Sequence, residues 1–319
     1  MSSKSNNQGR AYEFAYLITL YDEISKVRPA IIENNSNYIA AENAWHTLSD
    51  SEKDLYKISA LAGVNTIFEL EPLILDDGDD ELELKIQSDD KGKAGDVRDV
   101  LIIRRGIEWE IGLSVKHNHF AVKHSRISKK LDFGKKWYGL ECSKEYWDDI
   151  KPIFDYLDDE KSKGSKWSEL TNKEDDVYEP LLNAFKNELD RQNKLYGKDI
   201  PKLMVEYLLG QFDFYKVIGI DNKKITRIQS YNLRGTLNKQ GKSRKRNIEI
   251  PISNLPTRIV SIEFKPNSKN TLELYLDGGW QFSFRIHNAS TKVEPSLKFD
   301  IQIIGMPTTI ISIDCRWQI

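Results

Sequence analysis

Asp99 and Lys116 bound the part of the chain best suited to chemistry, Gly95-Asp-Val-Arg-Asp-Val-Leu-Ile-Ile-Arg-Arg-Gly-Ile-Glu-Trp-Glu-Ile-Gly-Leu-Ser-Val-Lys116. The segment reads as a strand, a tight turn at Arg105-Gly106 and a returning strand that ends in lysine. Side chains alternate along a strand, so Glu110, Gly112, Ser114 and Lys116 share one face, and the hairpin brings Asp99 beside its end. A carboxylate and an ammonium meeting at one point suit metal-assisted phosphodiester hydrolysis. Oxygen ligands hold Mg²⁺, the ion lowers the pKa of a water, and the cation positions or deprotonates that water. A plain surface hairpin, with Asp99 capping a turn and Lys116 lying along a strand end, would carry the same residues, so the flanking sequence decides.

After His117-Asn-His119, the run Phe120–Leu131 has helical spacing and a strongly basic face. Lys123 and Arg126 lie three apart, so a helix beginning near Phe120 would aim both at one surface beside the metal, with Lys129 on the next turn. Phosphate binding is the use expected of such a face, against the plainer alternative of a solvated basic helix.

Other elements must hold this hairpin. Arg10–Lys26 places Ala11, Phe14, Ala15 and Ile18 at three- and four-residue spacing and predicts a first helix, with Glu13 near its start. Ser36–Trp45 and Asp50–Ala62 predict two more, the latter opened by Ser49 or Asp50 as cap. Ile67–Leu75, Glu81–Gln87, Val97–Arg104 and Trp109–Val115 read as neighbouring strands, with Asp77-Gly78 and Arg105-Gly106 as turns. From about Glu145 to Phe214 the pattern is helical, Pro180 suiting a helix start and Gly197 an end. Strand signals then dominate: Ile225–Ser230, Arg258–Phe264, Thr271–Leu276, Trp280–His287, Leu297–Ile304 and Thr309–Ile313. Asn232–Asn247, rich in Lys, Gly and Asn, reads as a mobile loop. This predicts a nuclease core over 1–145, a helical connector over 146–215 and a β-rich recognition region over 216–319.

With 319 residues and 39% hydrophobic content the chain can bury a sizeable core. A net charge of −2 argues against indiscriminate coating of nucleic acid, so DNA contact must come from local patches. Two stand out: Lys116 to Lys136, with one acid, and Lys223 to Arg246, with none. The two cysteines, Cys142 and Cys315, are too few for a disulfide framework. No stretch approaches a membrane span, and the first residues lack the apolar core of a secretory signal, so a cytoplasmic protein is expected.

The hairpin resembles the PD-(D/E)xK nuclease signature, with Asp99 as first acid and Lys116 as lysine. Ser114 stands where that signature has its second acid, and a hydroxyl is a poor replacement. Another carboxylate should supply the charge: Glu110, on the same strand face, or Glu13, on the first helix, where related nucleases often carry a glutamate. The resemblance also implies the Val115 carbonyl as a metal ligand. Beyond spacing, Gly95-Asp-Val-Arg-Asp99, the run His117 to Arg126, and Phe284-Arg-Ile-His-Asn-Ala-Ser-Thr-Lys-Val-Glu-Pro-Ser-Leu-Lys-Phe-Asp-Ile-Gln302 look like HaeIII-type restriction endonucleases, and the likeness extends from Asn7 to the last strands. It implies an α/β, restriction-endonuclease-like mixed sheet flanked by helices and Mg²⁺-dependent cleavage of double-stranded DNA at the palindrome GGCC, between G and C, leaving blunt ends. A palindrome calls for two sites related by a two-fold axis, hence a homodimer. GGCC presents guanine edges, and Arg285, His287, Asn288, Lys292 and Lys298 are candidates to read them.

Competing readings are weaker. His117-Asn-His119 spells the letters of HNH nucleases, but that fold needs a further metal ligand down a helix and does not use a preceding Asp…Lys hairpin. A zinc site from His117, His119, His124 and Cys142 has no paired cysteines following it. The acidic run Asp76–Glu83 lacks calcium-loop spacing and reads as a solvated loop. A DNA-binding or repair protein with a degenerate site stays open because of Ser114.

Overall fold

The structure, a computed structural model, describes residues 2–78, 80–88 and 95–318. In chain order it runs α1 (Ser2–Ile24), β1 (Ala30–Ile32), α2 (Ser36–His46), α3 (Asp50–Leu70), β2 (Leu82–Ile86), β3 (Val100–Arg104), β4 (Trp109–His117) and β5 (Ala121–Ile127). Then follow α4 (Phe133–Tyr138), α5 (Lys144–Ser162), α6 (Glu179–Tyr196), α7 (Asp199–Leu209), β6 (Phe214–Ile220) and β7 (Ile225–Tyr231). The chain closes with β8 (Ile259–Phe264), β9 (Thr271–Leu276), β10 (Gln281–His287), β11 (Leu297–Gly305) and β12 (Ser312–Arg316). The result is a mixed α/β protein with two sheets flanked by helices, as a restriction-endonuclease-like fold requires. Among the described residues no helix is long and apolar enough to cross a membrane.

Two compact units share the chain: 1–120, 210–253 and 308–319 form the first, 121–209 and 254–307 the second. The boundaries expected at 145 and 215 give way to these because strand pairing is non-local. β4 pairs with β6 across almost a hundred residues, and β5 pairs with β11.

The first unit is built on a seven-stranded sheet in the order β1-β2-β3-β4-β6-β7-β12. β4 and β6 are parallel, whereas β3 and β4 are antiparallel. Leu113, Val115, Tyr215 and Val217 turn one sheet face into a core shared with Ala11, Tyr12, Ala60 and Val64 of α1 and α3. Burying each large side chain there stabilises by about 1.5–3 kcal/mol. A capping box of Ser49 and Glu52 starts α3. The helix continues past Ala62, because Ala60, Val64 and Ile67 keep a buried four- and three-residue spacing. The strand expected over Ile67–Leu75 is therefore the end of α3 followed by a short turn of 3₁₀ helix at Pro72–Ile74.

The second unit holds an antiparallel sheet in the order β5-β11-β10-β9-β8. Phe284 and Phe299 of its inner face pack against Trp137 of α4 and Phe185 of α6. Pro180 lies in the first turn of α6 and Gly197 ends it with positive φ, as their residue types predict. The helix expected at Phe120–Leu131 is instead strand β5. Ala121, Ser125 and Ile127 are buried at even spacing, and pairing with β11 overrides the local helical pattern.

Candidate active site

The site grows from a fork in the first sheet. β3 and β4 pair from Arg104–Trp109 to Val100–Leu113, and the last ladder bond runs from the Asp99 N–H to the Leu113 carbonyl, 2.8 Å. There the strands part. The Asp99 carbonyl accepts from Gln87 N–H at 2.9 Å, while β4 continues to His117 alongside β6.

The Asp99 carboxylate fills the fork. Its Oδ2 accepts from the Val115 N–H at 2.7 Å, the Lys116 ammonium at 2.8 Å and the Ser114 hydroxyl at 3.4 Å. All three converge on one oxygen, and Oδ1 takes none of them. In an extended strand a residue directs its N–H and C=O to the same side, so the Val115 carbonyl opens into the fork too. Asp99 Oδ1 and that carbonyl are hard oxygen donors of the kind Mg²⁺ takes, and the donor set fits the ion. The Asp99 and Lys116 side chains are 21% and 29% exposed, open enough for a phosphate to reach.

One member of this centre escapes the sequence reading. Lys216 on β6 stands in register with Ser114, so Asp99, Ser114 and Lys216 form a row across three adjacent strands. Its side chain is buried and donates to the Phe120 carbonyl at 2.7 Å. Burial pushes the Lys216 ammonium down to about 7, with Lys116 adding to the shift and Asp99 opposing it. A lone lysine in the fully buried strand Phe214–Ile220 was the available signal.

Of the two replacement acids, Glu110 is engaged elsewhere. Buried Arg98 donates to Glu110 at 2.8 Å and to Asp96 at 2.8 and 2.9 Å. Gly112 makes room for this, since a Cβ there would lie 2.1 Å from the Arg98 side chain. Glu110 also pairs with Ile103, at the far end of the hairpin from Asp99. Glu13 is half-buried on α1, next to Tyr12, whose ring lies 5.1 Å from that of His117, the residue after Lys116. α1 thus passes the end of β4 that carries Lys116, on the sheet face to which Val115 points.

The basic residues after the hairpin separate. On strand β5, Lys123 and Arg126 point to opposite faces, so they do not share the surface that a helix would give. Lys123 turns inward, donates to the Tyr207 carbonyl at 2.7 Å and lies over the Tyr207 ring. Burial lowers its pKa to about 8, and Lys136 adds to the shift. Lys129 pairs with Asp155 and Asp158. Arg126 faces outward, in a row with Lys298 of β11 and His287 of β10. The next row on that face is His124, Asp300 and Arg285, in which Arg285 donates to Asp300 at 3.2 Å. Four of the expected DNA-contacting residues, Arg126, Arg285, His287 and Lys298, therefore stand together on one face of the second sheet. Desolvation and the Arg126 cation lower the pKa of Lys298. Asn288 instead shapes the following turn, donating to the Ser290 and Lys292 carbonyls.

Other candidates dissolve. His117 lies between Tyr56 and Asp221, at 3.2 and 2.9 Å, on the opposite face of β4 from Lys116. Within the acidic run, Asp79 lies outside the described residues. Asp76 accepts from the Lys242, Ser243 and Arg244 backbone, and Asp80 binds Arg28 and Arg104, so this is no solvated loop. Nor is Asn232–Asn247 without fixed contacts, for these bonds and others anchor it.

Comparison with known proteins bears on what the fork does. A family model described as HaeIII restriction endonuclease matches residues 9–307. The Type II restriction enzyme HaeIII of Haemophilus aegyptius is 59% identical over 318 residues, covering 100% of each chain. No solved structure matches the chain.

Proposed function

Because the chain belongs to the HaeIII restriction endonuclease family and is a type II site-specific deoxyribonuclease acting on double-stranded DNA, we propose that the Asp99–Lys116 fork is its hydrolytic centre. The observation that carries this is the convergence of the Val115 N–H and the Lys116 ammonium on a single oxygen of Asp99. It leaves a carboxylate oxygen and a strand carbonyl turned toward one point, with a cation beside them.

Type II enzymes of this kind depend on a metal ion, and we take Mg²⁺ as the ion held by Asp99 and the Val115 carbonyl, with Glu13 as the second acid. Bound there, Mg²⁺ supplies charge against that building on the scissile phosphate and lowers the pKa of nearby water. Lys116 holds the attacking water in line and steadies the negative charge that forms as it loses its proton. Lys216 fixes the Phe120 carbonyl and adds positive potential behind Ser114.

The recognition site we assign is GGCC, cut to blunt ends, with Arg285 and Lys298 as readers of guanine edges and Arg126 as a phosphate contact. Two-fold symmetry of that site favours a homodimer, working on DNA in the cytoplasm. Incubating the purified protein with plasmid DNA and Mg²⁺ tests the reading. Discrete blunt-ended fragments mapping to GGCC are expected; a smear, or fragments ending elsewhere, would contradict it.

A further inference from the structure

Residues 232–250 contain no helix or strand, yet their backbone is held at many points. Asp213 accepts from the N–H groups of Leu233, Arg234 and Thr236, at 2.7 to 2.9 Å. Glu71, fully buried, accepts from the Asn238 N–H at 2.6 Å, and the Asn238 side chain bonds the Leu70 carbonyl and the Ile250 N–H. Asp76 accepts from the N–H groups of Lys242, Ser243 and Arg244 and from the Ser243 hydroxyl, at 2.6 to 2.9 Å. Burial works against the ionised form of Asp76, but the Ser243 hydroxyl and the three N–H groups outweigh it and hold the carboxyl well below its usual range.

The outward side of this segment has the opposite character. Lys239, Lys242, Arg244 and Lys245 are all exposed, and no acid occurs between Asp221 and Glu249. Like charges on a flexible loop spread it apart and stay hydrated. Here three buried carboxyl groups, Glu71 and Asp76 after α3 and Asp213 before β6, bind the backbone and keep the cations close together. A loop serving only solubility needs no such anchoring, whereas a surface for a polyanion gains from it, since little ordering entropy remains to be lost on binding.

We propose that residues 232–250 form a preorganised clamp for the phosphate backbone of the substrate DNA, separate from base reading and from the hydrolytic fork. This rests on the chain's action on DNA but not on the roles given to Asp99 and Lys116. The test is a variant carrying Lys239→Gln, Lys242→Gln, Arg244→Gln and Lys245→Gln, with affinity for a short duplex measured against salt in Ca²⁺, without cleavage. The slope of log affinity on log salt should flatten by about 0.9 for each phosphate that the variant no longer neutralises, equally for duplexes with and without GGCC. Single-turnover cleavage by saturating variant should keep the wild-type rate. An unchanged slope would overturn the proposal, as would a weakening confined to GGCC duplexes. Asp76→Ala keeps every cation and releases the backbone of residues 242–244, so it should weaken binding and speed tryptic cutting after Lys242, Arg244 and Lys245. Faster cutting with unchanged affinity would overturn preorganisation. Because binding is read without turnover, failure here is distinct from a misplaced hydrolytic centre, which would show only in cleavage.

Discussion

Three donors occupy Asp99 Oδ2, so in the proposed centre a metal would fall to Oδ1, the Val115 carbonyl and one more acid. If that acid is Glu13, Glu13→Gln should raise the Mg²⁺ concentration needed for half-maximal cleavage at least about tenfold, since losing one carboxylate ligand weakens a hard-ion site. Glu110→Gln should leave the Mg²⁺ requirement unchanged and instead lower stability slightly, by at most about 1 kcal/mol, because Arg98 loses a part-exposed charged partner and keeps Asp96. Metal titration of cleavage, with thermal unfolding alongside, checks both. An effect of Glu110→Gln on the metal requirement would return the second acid to β4. Asp99 and Lys116 were legible in the sequence because one local hairpin carries both. Lys216 was not, because its place beside Ser114 depends on parallel pairing across about a hundred residues, which no local pattern encodes.

Among elements, β5 decides which of the cations after the hairpin face solvent. As a strand it sends Arg126 outward and Lys123 inward onto Tyr207. Arg126→Gln should flatten the salt dependence of binding by about one phosphate's worth of slope, whereas Lys123→Met should not, since that amine is committed within the protein. Arg285→Ala and Lys298→Ala should cost about 1–3 kcal/mol each in discrimination between GGCC and altered sites. The helix expected over Phe120–Leu131 gave way to a strand because alternation over seven residues competed with helical spacing, and the partner strand that decided lies about 170 residues away.

The end of α3 offers a test by pH. Burial raises the Glu71 pKa to about 7, against the bonds from Tyr215 and Asn238, which lower it. The folded state thus keeps a proton that the unfolded chain gives up near pH 4.5, so this group's favourable contribution is full below about pH 4.5 and is lost as pH rises toward 7. Glu71→Gln removes the titration, and its stability should fall less steeply than wild type's between those values, a difference on the order of 3 kcal/mol at most. Parallel urea titrations of the two proteins across that range measure it; equal slopes would mean that Glu71 titrates normally.

At the level of the whole molecule, each unit draws its strands from distant parts of the chain. A fragment of residues 1–145, the autonomous core suggested by the order of elements, lacks β6, β7 and β12 and so three strands of its sheet. It should fail to give a cooperative unfolding transition by circular dichroism, and a well-folded fragment would contradict the non-local pairing. The fold class was visible from the sequence because alternating and helical segments survive any rearrangement. The division into units was not, because it depends on which strands pair.

The hydrolytic role of the fork is tested most directly by cleavage in a single turnover. With Mg²⁺ and a GGCC duplex, the rate should fall by roughly 10²–10⁴-fold or more in Asp99→Ala and in Lys116→Ala, while both variants bind the duplex nearly as tightly as wild type in Ca²⁺. Cleavage by either variant at near the wild-type rate would place the chemistry on other residues.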